Sequence, residues 1–268
     1  MSRIKLRHGA SVYCELVDLV DPWDTPELVF FHHGLGKHSG YWRGWMRALA
    51  GRYRLAAIDV LGNGRSSKPR GHAWSLESYA DDVLDVLDAI GAERAHFVGE
   101  GMGGCVGLQL AARSPSRVQT LTLCATPFRP SEGRADLLRH GEEIARHGVK
   151  DFVDGSLADR MDWSLLPSTA FDWFRGERLA VSPRIMSEQM TAQARVDVEW
   201  TLPLITAPTL LIVPGASPSN ANTQMREMAR SIATTRVIDF PTERQWVTFA
   251  RAAECAQAFL DFVHDAGS

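Results

Sequence analysis

The run His96-Phe97-Val98-Gly99-Glu100-Gly101-Met102-Gly103-Gly104 decides the fold of this 268-residue chain. An apolar stretch enters a cluster of glycines, and residues 102–113 then show the spacing of a helix. A strand that turns sharply into a helix is typical of an α/β protein. Glycine at position 101 means that the tip of this turn offers backbone groups but no reactive side chain.

Short apolar stretches alternate with helical patterns on both sides of this run. Strands are predicted at 11–18, 28–32, 54–59, 96–99, 118–124, 208–213 and 236–240, and helices at 75–90, 102–113, 221–232 and about 247–263. This alternation predicts a parallel sheet that helices cover on both faces. The loops at the carboxyl ends of the strands are then expected to form the site.

The alternation stops between residues 127 and 202, where helical segments rich in tryptophan and phenylalanine follow. We therefore expect a core domain made of residues 1–126 and 203–268, with a helical cap over residues 127–202 that lies above the site. Most of the cap's aromatic residues are expected to form its own core. A cap of this composition favours an apolar ligand with one polar end.

Composition excludes several classes of partner. The 29 Lys+Arg and 32 Asp+Glu give a formal net charge of −3, and no basic stripe predicts nucleic-acid binding. No stretch is long and apolar enough to span a bilayer, and the N-terminus lacks a signal-peptide pattern, which predicts a soluble, cytoplasmic protein without a membrane partner. The widely spaced cysteines predict buried thiols in a reducing compartment and no metal site; they are Cys14, Cys105, Cys124 and Cys255. No cofactor is predicted, and a homo-oligomer stays open.

Four parts of the chain together resemble the α/β-hydrolase superfamily, in the capped branch that includes enol-lactonases, C–C bond hydrolases and esterases. They are His33-Gly34-Leu35-Gly36, the glycine-rich turn within 59–66, the turn at 99–103, and Ala253-Glu254 with residues 259–262. The resemblance covers essentially the whole chain in the right order. It implies an α/β-hydrolase fold: a mostly parallel eight-stranded sheet flanked by helices, with a helical cap insertion.

The resemblance also implies a loss of chemistry. In that family a G-x-S-x-G turn carries the nucleophile, an acid follows a late strand, and a histidine precedes the last helix. By resemblance Gly101 occupies the serine position, Ser217 the acid position and Gln245 the histidine position. Glycine cannot attack a carbonyl and glutamine cannot act as a base. The resemblance therefore implies a member without the Ser-His-Asp triad.

Backbone groups survive such substitutions. By resemblance the N–H groups of Leu35 and Met102 form an oxyanion hole, and the start of the helix at Met102 favours an anionic oxygen. An anion or carbonyl site is therefore expected at the glycine turn, for a small-molecule ligand. The candidate ligand-contacting residues are Gly34, Leu35, Met102, Trp163, Trp173 and Trp246.

Four side chains near these positions are candidates for acid–base chemistry, namely His33, Lys37, His38 and Glu100. His33 is expected to bind loop backbone, as the histidine of the family's His-Gly turn does. Lys37 and His38 are expected to be solvated loop residues. Glu100 is expected to play a supporting hydrogen-bonding role, since a reactive role would require a raised pKa.

Three functions stay open. The first is a catalytically inactive protein that binds a small apolar carbonyl or carboxylate compound, or a protein partner, in the old pocket. The second is an enzyme with non-covalent chemistry, such as a lyase, isomerase or decarboxylase, that uses the oxyanion hole. The third is a hydrolase with an unusual nucleophile, Ser217, Ser219 or Cys105. It is the least favoured, because no histidine lies between His147 and His264.

Overall fold

The computed structural model describes residues 2–130 and 133–267. Within these residues eight strands form one sheet in the order β1-β2-β4-β3-β5-β6-β7-β8. The strands are β1 (Ser2–Lys5), β2 (Ser11–Val17), β3 (Leu28–His32), β4 (Arg54–Asp59), β5 (Ala95–Glu100), β6 (Val118–Cys124), β7 (Thr209–Pro214) and β8 (Thr235–Phe240). Strand β2 pairs antiparallel with β1 and β4, and all later pairs are parallel. The mostly parallel eight-stranded sheet is therefore confirmed.

Strand β1 is the one strand that hydrophobic patterning does not predict. It has four residues, of which Ile4 alone is buried. The strand forms because it pairs with β2, where Ile4 lies opposite Val12. An edge strand this short and exposed depends on pairing with its neighbour, and its own sequence shows little hydrophobic pattern.

The described residues form ten α-helices, which flank the sheet. They are α1 (Arg43–Leu49), α2 (Leu76–Ala89), α3 (Met102–Arg113), α4 (Arg134–His147), α5 (Lys150–Arg160), α6 (Ser168–Leu179), α7 (Pro183–Gln193), α8 (Ala221–Ser231), α9 (Val247–Ala250) and α10 (Ala252–Ala266). The single C-terminal helix predicted at about 247–263 is in fact two helices, which meet at Arg251 with φ −115° and ψ 41°. None of the helices in the described part of the chain is both long and apolar enough to cross a membrane.

The sheet divides the hydrophobic core into two layers. In β3, Phe30 packs into the layer that contains residues of α2, α3 and α8, whereas Val29 and Phe31 pack into the layer of α1 and α10. All three side chains are completely buried. This alternation is expected for a central parallel strand that helices cover on both faces.

Helices α4–α7, which we call the cap helices, lie between β6 and β7 in the chain. Their apolar side chains, such as Leu137, Val153 and Phe174, join the same core layer as α1 and α10. The cap helices therefore pack over the carboxyl end of the sheet, where the glycine turn lies.

Candidate functional site

Gly101 alone forms the turn between β5 and α3, and its backbone has φ +56° and ψ −120°. This region favours glycine, since a non-glycine residue pays about 1–3 kcal/mol of strain there. A Cβ on Gly101 would meet no atom within 4 Å. By contrast, a Cβ on Gly103 would lie 2.2 Å from the His32 carbonyl oxygen, and one on Gly99 would lie 2.6 Å from the Gly103 oxygen. Close packing therefore requires the flanking glycines, whereas position 101 faces open space.

A cavity of about 50 Å³ lies beside Gly101, between the sheet and the cap helices. Its walls contain three basic side chains but a single carboxylate, so the cavity favours an anion. None of the described lining residues is a serine, threonine, cysteine or histidine. The lining is Gly34, Leu35, Lys37, Glu100, Gly101, Met102, Leu137, Phe152, Arg160, Arg178, Met190, Gln193, Gln245 and Trp246.

Lys37 and Glu100 form a buried ion pair in this wall. The Lys37 side chain, in the loop after β3, donates from Nζ to Oε2 of Glu100, and the two residues are 5% and 1% exposed. The ammonium also lies 4.2 Å from the ring centroid of Tyr41 and 5.3 Å from that of Trp246. Burial lowers the pKa of Lys37 to about 8, although Glu100 opposes the shift. The pair can therefore hold or release a proton near neutral pH.

Arg178 of α6 brings a second buried cation to the cavity, with 4% of its surface exposed. Its Nη1 donates to the Leu35 carbonyl at 3.3 Å and its Nη2 to Ser156 Oγ at 3.4 Å. Its Nε has no partner, and no carboxylate of the described residues pairs with the guanidinium. Burial lowers the pKa of Arg178 to about 9, and repulsion from Arg160 adds to this. Arg178 is thus a buried cation with no carboxylate in ion-pair contact, although the Glu100 carboxylate of the same wall raises its pKa.

Two backbone N–H groups of the lining are also free. Met102 is the first residue of α3, and Leu35 follows the His-Gly turn. Neither N–H donates to another described residue. A helix N-terminus and two unused donors favour an anionic oxygen.

Gln245 completes the wall beside Arg160, the last residue of α5. Arg160 Nη1 donates to Gln245 Oε1 at 2.5 Å, and the N–H of Trp246 donates to the Arg160 carbonyl at 3.0 Å. These bonds hold the Gln245 side chain against the cap helices. The amide can accept or donate hydrogen bonds but cannot take up a proton as a base.

The structure places both candidate histidines outside the cavity lining. His33 Nδ1 donates to the Gly34 carbonyl at 2.7 Å, and its Nε2 accepts from the N–H of Val60 at 2.9 Å. Burial lowers the pKa of His33 to about 3, so the ring is neutral and both nitrogens are occupied. His38 lies beside Glu177, 3.2 Å from Nε2 to Oε2, and packs on Trp173. Of the four acid–base candidates, Lys37 and Glu100 alone line the cavity.

The candidate unusual nucleophiles also lie elsewhere. Ser217 and Ser219 have their hydroxyl oxygens 3.2 Å apart, and neither lines the cavity. The buried Cys105 thiol donates to the Pro127 carbonyl at 3.0 Å, and burial raises its pKa to about 12. A thiol this reluctant to ionise is a poor nucleophile.

Trp163 and Trp173 do not contact the cavity, although both are predicted ligand contacts. Trp163 donates from Nε1 to the Leu157 carbonyl and packs edge-on against Phe171 at 5.0 Å. Trp173 stacks on Phe249 at 6.0 Å. Packing against other aromatic side chains uses both rings, whereas the other predicted contacts line the cavity, namely Gly34, Leu35, Met102 and Trp246.

The sequence analysis missed six lining residues, among them the basic residues Arg160 and Arg178. Both arginines come from cap helices, and no local pattern distinguishes them from the other arginines of the cap. Their presence changes the predicted character of the pocket. Its wall combines cationic groups with apolar side chains, at Leu137, Phe152 and Met190.

Comparisons with known proteins agree with this architecture. The model of the alpha/beta hydrolase fold family matches residues 27–195. RutD of Stutzerimonas stutzeri, a proposed carbamate hydrolase, is 32% identical over 213 residues, which cover 75% of this chain and 77% of RutD. The 3-oxoadipate enol-lactonase 1 of Acinetobacter baylyi is 29% identical over 226 residues, or 81% and 80% of the two chains.

Solved structures agree as well. An enol-lactonase from Burkholderia xenovorans superposes with a TM-score of 0.91 at 21% identity, covering 98% of this chain and all of its own. A hydrolase from Pseudomonas aeruginosa gives a TM-score of 0.88 at 26% identity, covering 98% and 97%. Because the family model spans more than half of the sequence and RutD aligns with three quarters of it, the chain belongs to the alpha/beta hydrolase fold family.

Proposed function

We propose that this chain binds a small carboxylate in the cavity beside Gly101 and does not act as a serine hydrolase. The observation that carries the proposal is Arg178, a buried guanidinium with no carboxylate in ion-pair contact, in a wall that holds no hydroxyl, thiol or imidazole. Burying a charge without a partner costs several kcal/mol. A bound anion would supply the missing partner.

The relatives are named as hydrolases, so the residues that stand here at the family's catalytic positions bear directly on the function of this chain. Serine hydrolysis in this fold requires a nucleophile and a base that hydrogen-bonds to it. Here the turn carries Gly101, and the position that resembles the family's histidine carries Gln245, which accepts from Arg160. Ser217, at the position that resembles the acid, bonds to Ser219. These contacts support a protein that keeps the fold of a hydrolase without its triad.

The lining also limits the ligand. A carboxylate can bind the Arg178 guanidinium and the free N–H groups of Leu35 and Met102. The apolar side chains of the lining, Leu137, Phe152 and Met190, then contact a short hydrocarbon portion. The cavity is small, at about 50 Å³, so it suits a ligand of only a few heavy atoms.

Calorimetric titration tests this binding. We expect acetate and propionate to bind, and acetamide and methyl acetate to give no heat, because the neutral analogues carry no charge for Arg178. Arg178→Met should weaken propionate binding at least tenfold, which corresponds to about 1.4 kcal/mol. The matched control is Arg139→Met, since Arg139 is exposed on α4 and pairs with Asp136. Equal binding of propionate by both variants, or equal binding of the acid and its amide, would contradict the proposal.

A second assay tests the absence of serine hydrolysis. We expect no turnover of a panel of esters, lactones, thioesters and carbamates above buffer rates, and no labelling by a fluorophosphonate. Labelling of one serine that propionate blocks would overturn this part of the proposal.

A second candidate function, proton transfer at a carbon atom of the ligand, is favoured by one observation. Lys37 and Glu100 line the cavity, and the pKa of Lys37 is near 8. Free N–H donors beside them would stabilise an enolate oxygen. The test is entry of deuterium from D2O at the methyl group of pyruvate, followed by NMR, which the variant Glu100→Gln should abolish. Exchange that persists in this variant would exclude Glu100 as the base.

We also propose that the protein works in a reducing, cytoplasmic compartment. All four cysteines are buried and unpaired. Free buried thiols are usual where disulfides do not form, so the cysteines support this assignment. Export of a reporter fusion to the periplasm would contradict it.

A further inference from the structure

We propose that Lys37 is a nucleophile that forms an imine with the carbonyl carbon of a small 2-oxo acid in the cavity. The inference rests on the proposed carboxylate binding, since Arg178 would hold the carboxylate of the same molecule. Both cations contact one indole ring: Lys37 Nζ lies 5.3 Å and Arg178 Cζ 5.1 Å from the Trp246 centroid. A 2-oxo acid carries its carbonyl carbon directly beside its carboxylate, so it can reach both groups in a small cavity.

Lys37 differs from every other lysine of the chain. The sequence contains three more, Lys5, Lys68 and Lys150, and all three are exposed. Lys37 is 5% exposed and lines the cavity. A covalent reaction inside the cavity therefore has one candidate amine.

The surroundings of Lys37 favour the neutral amine that attacks a carbonyl. The charged and titratable groups near it are Glu100, Tyr41, Arg160 and Arg178; the carboxylate raises the pKa of Lys37 and the arginines lower it. With a pKa of about 8, about one tenth of the lysine is neutral at pH 7, several hundred times more than for an ordinary lysine. Burial beside other cations is a known way to activate a lysine nucleophile.

The reaction balances without a further reagent. The Lys37 ammonium passes one proton to Glu100, and the nitrogen lone pair attacks the carbonyl carbon, so that a C–N bond forms and the C=O π electrons move to oxygen. A second proton moves from nitrogen to this oxygen, which gives a carbinolamine. Glu100 returns the first proton, water leaves with the C–O bonding electrons, and the nitrogen lone pair closes the C=N bond. The net change converts an ammonium and a ketone into a protonated imine and water.

Reductive trapping tests the imine on the wild-type protein. The chain is incubated with pyruvate and sodium cyanoborohydride at pH 8, and intact mass and peptide mapping are recorded. We expect one adduct, heavier than the chain by the mass of pyruvic acid less one oxygen atom, on the peptide that contains Lys37. Adducts spread equally over all four lysines, or no adduct, would overturn the proposal.

Two variants sharpen this test. Lys37→Met should lose the adduct, whereas Lys68→Met, an exposed lysine outside the cavity wall, should keep it. Lys37→Met leaves the buried Glu100 carboxylate without its partner, which destabilises the fold. The peptide map of the wild-type chain therefore decides the site independently of this variant. Persistence of the adduct in folded Lys37→Met would contradict the proposal.

Failure of the imine and failure of carboxylate binding can be separated. Pyruvate that competes with propionate in calorimetry but is never trapped overturns the imine alone. If propanal is trapped at Lys37 as fast as pyruvate is, and propionate does not bind, the amine is supported as the nucleophile and the carboxylate site is overturned. Both the imine and the carboxylate site are supported if pyruvate is trapped fast, propionate blocks this trapping, and Arg178→Met slows it at least tenfold.

Discussion

Replacing Glu100 with glutamine removes the carboxylate that pairs with the buried ammonium of Lys37, while the size of the side chain is kept. Burial lowers the pKa of Lys37 to about 8, and Glu100 is the main group that opposes this shift. Without the carboxylate, the pKa of Lys37 falls further. We therefore expect the free energy of unfolding of Glu100→Gln to drop below that of the wild type as the pH is lowered.

The magnitude follows from the protons bound by the folded and unfolded chains. Unfolded Lys37 titrates near 10.5 and folded Lys37 near 8, so the stability of the wild type rises with pH between these values. Below pH 8 the wild-type lysine keeps its proton in the folded state, whereas the variant loses it. Each unit by which the pH is lowered then reduces the free energy of unfolding of the variant, relative to the wild type, by up to about 1.4 kcal/mol. The pH-dependent part of the difference is at most about 1 kcal/mol at pH 7 and about 3 kcal/mol at pH 6, and it vanishes by pH 9.

Urea unfolding at pH 6, 7, 8 and 9, followed by circular dichroism, measures this difference, provided that the m-value stays constant. The control compares Lys37→Met with the double variant Lys37→Met/Glu100→Gln. Without the lysine, the second substitution removes a buried carboxylate that has lost its partner, so it should cost no stability at pH 6. A Glu100→Gln penalty of equal size at pH 6 and pH 9 would refute the reasoning.

Three further predictions concern single positions. Gly101→Ala and Gly101→Ser should each lower the free energy of unfolding in urea by about 1–3 kcal/mol because of backbone strain. The serine variant should still not hydrolyse p-nitrophenyl acetate, and turnover would contradict this. Burial raises the pKa of Asp82 to about 6, so stability is lost as the pH rises through 6, and Asp82→Asn should melt higher than the wild type at pH 7.5 but equally at pH 4. Asp59 accepts from the N–H groups of Ser39 and Arg65 at 2.8 Å, which lowers its pKa. Asp59→Asn should lose about 2–3 kcal/mol at pH 7 and less below pH 3.8, where the unfolded chain takes up a proton at Asp59 that the folded chain binds less readily; equal losses at pH 7 and pH 3 would argue against this assignment.

The parallel strands could be predicted from the sequence because burial on both faces leaves a continuous apolar run, as in β3 and β7. Strand β1 has no such apolar run, because most of its side chains are exposed. The strand forms only because it pairs with β2. The break at Arg251 is invisible for another reason. The helical spacing of apolar residues continues across it, so patterning predicts one helix where the backbone forms two.

The residues of the site likewise fall into those that the sequence could place and those that it could not. Residues at the carboxyl ends of strands could be placed, because strand order alone brings Leu35 and Gly101 to one edge of the sheet. Lys37 was expected to be a solvated loop residue, yet it is buried beside Glu100, Tyr41 and Trp246. Burial by a distant segment leaves no trace in the local sequence. The same holds for Arg178, whose role depends on where α6 lies relative to the loop after β3.

Arg178 is difficult to explain as a device for stability alone. Its guanidinium is buried, its Nε has no partner, and its two remaining hydrogen bonds are 3.3 and 3.4 Å long. Such a group costs desolvation energy that these long bonds recover only in part. A methionine of similar length would remove this cost, so the variant that loses propionate binding should also unfold at a higher urea concentration than the wild type. A gain of stability joined to a loss of binding is the expected mark of a residue kept for its ligand, and a destabilised Arg178→Met would instead assign the arginine to holding the cap helices on the sheet.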